Sequence, residues 1–70
     1  PDMAPEKMVR MANQIATFFK TQSGTDQSDK VAAHLRDFWE PGMRQRLKDY
    51  IAVNNSAELD DIVVQAAKQL

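Results

Sequence analysis

No cysteine occurs in this 70-residue chain, and only one histidine does. A domain of this size hides only about 60% of the surface that its unfolded chain exposes, so it folds with little margin. Chains so small usually lean on disulfides, a metal or a partner. Composition rules out disulfides. A structural zinc site draws on several cysteines or histidines and is nearly ruled out with them. What remains is one domain at most, resting on an efficient hydrophobic core, on a partner, or on both.

Helical periodicity offers that core. Turn chemistry divides the chain into four segments, read as helices over about 5–21, 26–39, 42–53 and 57–69. Pro5 and Pro41 suit first helical turns, and Glu6 sits where the helix dipole favours negative charge. At about 100° per residue, Met8, Met11, Ala12, Ile15, Phe18 and Phe19 share one face of the first helix, with Val9 and Ala16 widening it. That apolar arc covers about half the circumference, more than one small core requires. Gln22-Ser23-Gly24-Thr25 ends the segment. The second helix, capped by Thr25, Asp26 or Ser28, carries Val31, Ala32, Leu35, Phe38 and Trp39 in a stripe. Glu40 precedes Pro41, which pushes it out of the helical region and predicts a sharp break. Met43, Leu47, Tyr50 and Ile51 form the third stripe. Asn54-Asn55 stops that helix, and Ser56 is read as the cap of the fourth, with Glu58 in its first turn. Leu59, Ile62, Val63, Ala66 and Leu70 then face the core, while Val64 points away. Ile62-Val63-Val64 is too short for a sheet. The expected fold is all-α: a single compact bundle of four short amphipathic helices.

Chemistry has little to work with. The single histidine, His34, lies on a helix edge beside Arg36 on the other edge, with no nucleophile pattern around it. Asp60 and Asp61 are adjacent on a helix and point about 100° apart, so they cannot act on one atom. No Gly-rich phosphate loop is present. Met8 and Met11 stand at core spacing and read as packing. A net charge of −1 leaves no large basic footprint for nucleic acid, and no apolar run approaches the length that spans a bilayer. No signal-peptide pattern opens the chain. One feature runs the other way: Arg44, Arg46 and Lys48 follow the Pro41-Gly42 turn, in the outline of a helix-turn-helix DNA reader. Asp37, Glu40 and Asp49 cancel most of that field.

One set of polar residues favours a protein partner, and Trp39 fits either a core or an interface role. Arg10, Asn13 and Gln14 lie on the polar side of the first helix, where Asn and Gln are mediocre helix formers. Trp39 closes a helix corner and is also a residue type that dominates interface hot spots.

Three stretches together resemble one family, the formate dehydrogenase delta subunits. The first is Met8-Val9-Arg10-Met11-Ala12-Asn13-Gln14-Ile15-Ala16 followed by Phe18-Phe19. The second is Ala33-His34-Leu35-Arg36-Asp37-Phe38-Trp39-Glu40-Pro41 with Met43-Arg44 and Leu47. The third, less specific, is Leu59-Asp60-Asp61-Ile62-Val63-Val64-Gln65-Ala66-Ala67. They span nearly the whole chain in the family's order, whereas residues 52–57 match no pattern.

The resemblance implies a cytoplasmic, non-catalytic accessory subunit. It would bind the catalytic alpha subunit of an NAD-dependent formate dehydrogenase and support its assembly, cofactor insertion or stability. The molybdenum bis-pterin cofactor, iron–sulfur clusters, FMN and NAD of such a complex would sit on other subunits, with no cofactor, metal or catalytic residue here. The motif positions then become interface candidates: Arg10, Asn13, Gln14, His34, Arg36, Trp39 and Arg44. Neither nucleic acid nor membrane is an expected partner. The isolated chain has a homodimer as an alternative cover for its surplus apolar arc. From the residues alone, the competing function is a small DNA-binding regulator built on Arg44, Arg46 and Lys48.

Overall fold

A computed structural model of the chain describes residues 4–54 and 57–70. It holds four helices, α1 (Pro5–Lys20), α2 (Gln27–Phe38), α3 (Pro41–Asn54) and α4 (Asp61–Ala67), and no strand among the described residues. Proline opens both α1 and α3, where its missing N–H has no helical partner to lose. Glu40 is left outside the helices, and its carbonyl accepts from the N–H groups of Met43 and Arg44 at 3.0 and 3.1 Å, starting α3. Between α1 and α2 the chain reverses through Gly24 at φ +120°, a conformation open to glycine and strained for other residues. Gln27 Nε2 donates to the Gly24 carbonyl at 2.7 Å and steadies that turn.

The core is organised around α2. Val31, Ala32 and Leu35 have no exposed surface, and α2 packs on each of the other three helices, most extensively on α4. Met8, Val9, Ala12 and Ala16 bring α1 to this stripe, Leu47 brings α3, and Val63 and Ala66 bring α4. Four of the contact residues are alanines, Ala12, Ala16, Ala32 and Ala66, each essentially without exposed surface. Small side chains at the crossings let the helix axes approach closely. Trp39 closes one end, buried at 7% exposure. No polar or charged residue is buried among the described residues.

The fourth helix departs from the sequence expectation. It begins at Asp61 rather than near Ala57, and Ala57 to Leu59 form a turn. Ser56, read as its cap, lies outside the described residues. Asp60 is the cap, with its side chain accepting from the Ile62 N–H at 2.9 Å. Glu58 therefore precedes the helix, where its carboxylate accepts from the Tyr50 hydroxyl at 3.2 Å. Val64 is half-buried against the core rather than pointing away from it. At the α2 cap position Asp26 offers its backbone but makes no side-chain capping bond.

Two charged residues hold the joints. Arg44, in the first turn of α3, reaches back to the end of α2. Its Nη1 donates to the Trp39 carbonyl, to the Arg36 carbonyl at 3.1 Å and to the Leu35 carbonyl at 3.5 Å. A cation on the last carbonyls of a helix satisfies acceptors that the helix leaves open and suits the negative end of its dipole. Asp60, besides capping α4, takes an ion pair from Lys20 at the end of α1. The Lys20 hydrogen bond holds the Asp60 carboxyl below its ordinary value of 3.8; partial burial opposes this, and the Ile62 N–H adds to it.

Arg44→Ala is expected to lower stability by about 1–2 kcal/mol, since the opened carbonyls regain only partial hydration. Arg44→Lys should recover part of the loss, because an ammonium cannot spread over several acceptors as a guanidinium does. Urea unfolding followed by circular dichroism reads both. For Asp60, a depressed carboxyl stabilises the fold above its unfolded pKa and loses that contribution as pH falls through the folded pKa. Asp60→Asn keeps a capping oxygen but removes the charge. The wild-type advantage over this variant at pH 7 is thus expected to disappear as pH falls through the lowered folded pKa. A variant whose disadvantage persists there would show that the charge is not the source.

Candidate partner-binding site

α2 doubles back along α1, so that Lys30 Nζ meets the Gln22 side chain at 3.4 Å and Phe19 meets His34 ring to ring at 6.0 Å. On the side away from α4 the two helices leave an open groove of about 490 Å³. α1 contributes Met11, Gln14, Ile15, Phe18 and Phe19, and α2 contributes His34, Phe38 and Trp39. Trp39, Met11, Ile15 and Phe19 belong to the core or pack against it and form the floor. Phe18 and Phe38 do not: they are 59% and 73% exposed. Both had been expected in apolar stripes facing the core. The core-facing line of α1 instead runs through Met8, Val9, Ala12 and Ala16, and that of α2 through Val31, Ala32 and Leu35. Phe18 and Phe38 fall past the edge of each line, on surface that no neighbouring helix covers.

The aromatic rings form a chain across the groove. Phe18 meets Phe19 edge to face at 5.1 Å, and His34 stands 4.7 Å from Phe38. Such offset and edge contacts match ring faces to ring edges. His34 is held between two phenylalanines, with its polar nitrogens in an otherwise apolar wall. Gln14 supplies an exposed amide on the opposite lip. Burying an unpaired amide or imidazole costs free energy, so anything seated here must answer these groups with hydrogen bonds.

The interface candidates read from the sequence separate into two groups. Gln14, His34 and Trp39 come together in the groove, and Arg10 lies exposed one helical turn before Gln14. The others are engaged within the fold. Asn13 Nδ2 donates to the Glu58 carbonyl at 2.9 Å, and its Oδ1 accepts from the Asp60 N–H at 2.8 Å. The amide thus pins the segment leading into α4, and folding alone accounts for an asparagine there. Arg44 caps α2, and Arg36 donates to the Gln69 carbonyl at 3.4 Å. Phe18 and Phe38 were absent from the candidates; the surplus arc of α1 was a signal for Phe18, and Phe38 had none beyond its place in the α2 stripe.

The basic segment of α3 is similarly engaged. Besides Arg44 on α2, Lys48 Nζ donates to the Leu70 carbonyl at 3.0 Å. Arg46 is half-buried beside Met8 and Tyr50. Among the described residues no helix is long and apolar enough to cross a membrane.

The family of NADH-dependent formate dehydrogenase delta subunits (FdsD) matches residues 7–67, almost the whole chain. The chain belongs to this family. No curated protein and no solved structure matches it. The match covers both lips of the groove, the Asn13 pin and the Arg44 cap. Among the described residues, no group of three or more His, Cys, Asp or Glu side chains converges as a metal ion would require.

The division between fold and groove residues is testable. Asn13→Ala is expected to lower stability by about 1–2 kcal/mol, because two backbone groups lose their partner. Gln14→Ala, one position on, should change stability by less than about 0.5 kcal/mol. Thermal unfolding of the two variants side by side compares them. Equal losses would mean that the Asn13 bonds do not hold α4.

Proposed function

We propose that this chain is a non-catalytic accessory subunit, which binds the catalytic subunit of a cytoplasmic NAD-dependent formate dehydrogenase and supports its assembly, cofactor insertion or stability. The reading rests on one observation above the others: a member of the formate dehydrogenase delta-subunit family carries a preformed apolar groove with two exposed phenylalanines. Exposed apolar side chains gathered on one face mark interaction sites. The groove's lining, with three phenylalanines, a tryptophan and a methionine beside two polar groups, has the composition of an interface centre. Molybdenum cofactor, iron–sulfur clusters, flavin and NAD belong, in this reading, to the other subunits.

The charge balance supports a protein partner over nucleic acid. Net charge is −1, and two of the three basic residues of the α3 segment end on backbone carbonyls. Binding driven by phosphate contacts needs a group of uncommitted cations.

The test is affinity purification of the tagged chain from its own host. A formate dehydrogenase catalytic subunit is expected with it. Near-equal amounts in active, molybdenum-loaded enzyme indicate a permanent subunit, and recovery with the cofactor-free form alone indicates an assembly factor. Phe18→Ser with Phe38→Ser is expected to lose the catalytic subunit while retaining wild-type helicity and a cooperative unfolding transition. If the wild-type chain retains no formate dehydrogenase subunit, the reading fails.

A further inference from the structure

The groove also specifies what seats in it. The walls are helices α1 and α2, with Trp39 just past the end of α2, and there is no strand edge among the described residues. Strand addition, which works through main-chain hydrogen bonds, has nothing to add to here. What the walls do offer is side chains at helical spacing: Met11, Gln14, Ile15 and Phe18 along one lip, His34 and Phe38 along the other. From Met11 to Phe18 the groove runs about 10 Å, two helical turns. Three apolar anchors at i, i+4 and i+7 span that length.

Charge fixes the far end. Lys7 and Arg10 are exposed and continue the Met11–Gln14 face one turn toward the start of α1. At about 100° per residue Lys7 falls on the groove side and Arg10 on its edge, whereas Glu6 falls on the side of Asn13. Glu6 acts on Tyr50 of α3, away from the groove. The other nearby lysines are engaged: Lys20 with Asp60, and Lys30 with Asp26. Lys7 and Arg10 have no such partner among the described residues. The α2 lip adds one carboxylate, the exposed Asp37 beside Phe38.

Resting on the delta-subunit reading above, we infer that the groove receives a short amphipathic helix of the catalytic subunit, with apolar anchors at i, i+4 and i+7 and carboxylates one turn beyond them, against Lys7 and Arg10. The anchors lie between Phe18 and Phe38 on the floor made by Met11, Ile15 and Trp39. Gln14 and His34 orient the helix by hydrogen bonds at its polar edges. The carboxylates speed encounter and fix which way round the helix lies, as charges at an interface rim do.

The experiment places a photoreactive phenylalanine at position 18 or 38 and irradiates the assembled complex. Both probes are expected to label one segment of the catalytic subunit carrying that anchor spacing and an acidic flank. Lys7→Glu with Arg10→Glu is expected to weaken association roughly tenfold at low salt and to remove most of its salt dependence. Exchanging the labelled segment's carboxylates for lysines should restore binding to that variant. If the wild-type complex forms and neither probe labels the catalytic subunit, the groove is not the contact, and the accessory-subunit reading stands without it. Labelling of a second copy of this chain overturns the inference in favour of a dimer, and labelling of a segment without helical anchor spacing overturns it too. A wild-type chain that retains no catalytic subunit takes down both readings together.

Discussion

The α2 stripe of Val31, Ala32 and Leu35 is the contact on which the other helices depend. Each of them packs onto it, so its burial does the work that disulfides or a metal do in many chains of this size. Native stability runs at roughly 0.05–0.15 kcal/mol per residue, which gives a chain this short only several kcal/mol in all. Truncating one buried leucine costs about 2–5 kcal/mol. The stripe therefore has no redundancy. The alanines around it follow from the same constraint: with so few large side chains available, close helix approach replaces bulk.

Apolar packing sets which faces meet, but not where the irregular segments go. That task falls to three polar contacts: Asn13 on the Glu58–Asp60 backbone, Lys20 on Asp60, and Arg44 on the end of α2. α4 has seven residues, far below the roughly 12–15 that an isolated helix needs to persist in water. It exists because α2 covers its apolar side and because its start is clamped by Asn13 and capped by Asp60. The two joints are alike in logic. In each, a side chain from one helix satisfies the open backbone groups at the end of another.

This division explains what was legible in the sequence. The number of helices, their order and most of their limits follow from local signals: apolar period, the prolines at positions 5 and 41, and the Gly24 turn. The core residues of α3 follow likewise from Leu47 at the centre of its stripe. The start of α4 was misplaced because Ser56 and Glu58 imitate a local cap. The working cap depends on Asn13, 45 residues before Glu58, and no local pattern carries that contact. The bonds of Asn13 were hidden for the same reason, since they appear only when α1 and the approach to α4 lie side by side. The wide arc of α1 was visible as a surplus. Which part of it stays uncovered was not, because that depends on the angle at which α2 crosses. Phe18 and Phe38 thus read as core, while Gln14 stood out by its polarity and His34 by the family resemblance.

An exposed phenylalanine forgoes about 1.5–3 kcal/mol of burial, a large sum beside the whole stability of this chain. Two of them beside one groove are a stability left unclaimed within the monomer. Under the docking reading, a partner claims it. Any partner that binds the folded form alone adds RT ln(1 + [L]/Kd), about 2.7 kcal/mol when its free concentration is 100 times Kd. The groove is built on the outer faces of α1 and α2, whose inner faces make the core, so occupying it buttresses the same two helices that hold the stripe. The chain's stability and its association are then linked: away from its complex it is a marginal bundle, and within it the missing staple of a cysteine-free domain is supplied by the partner.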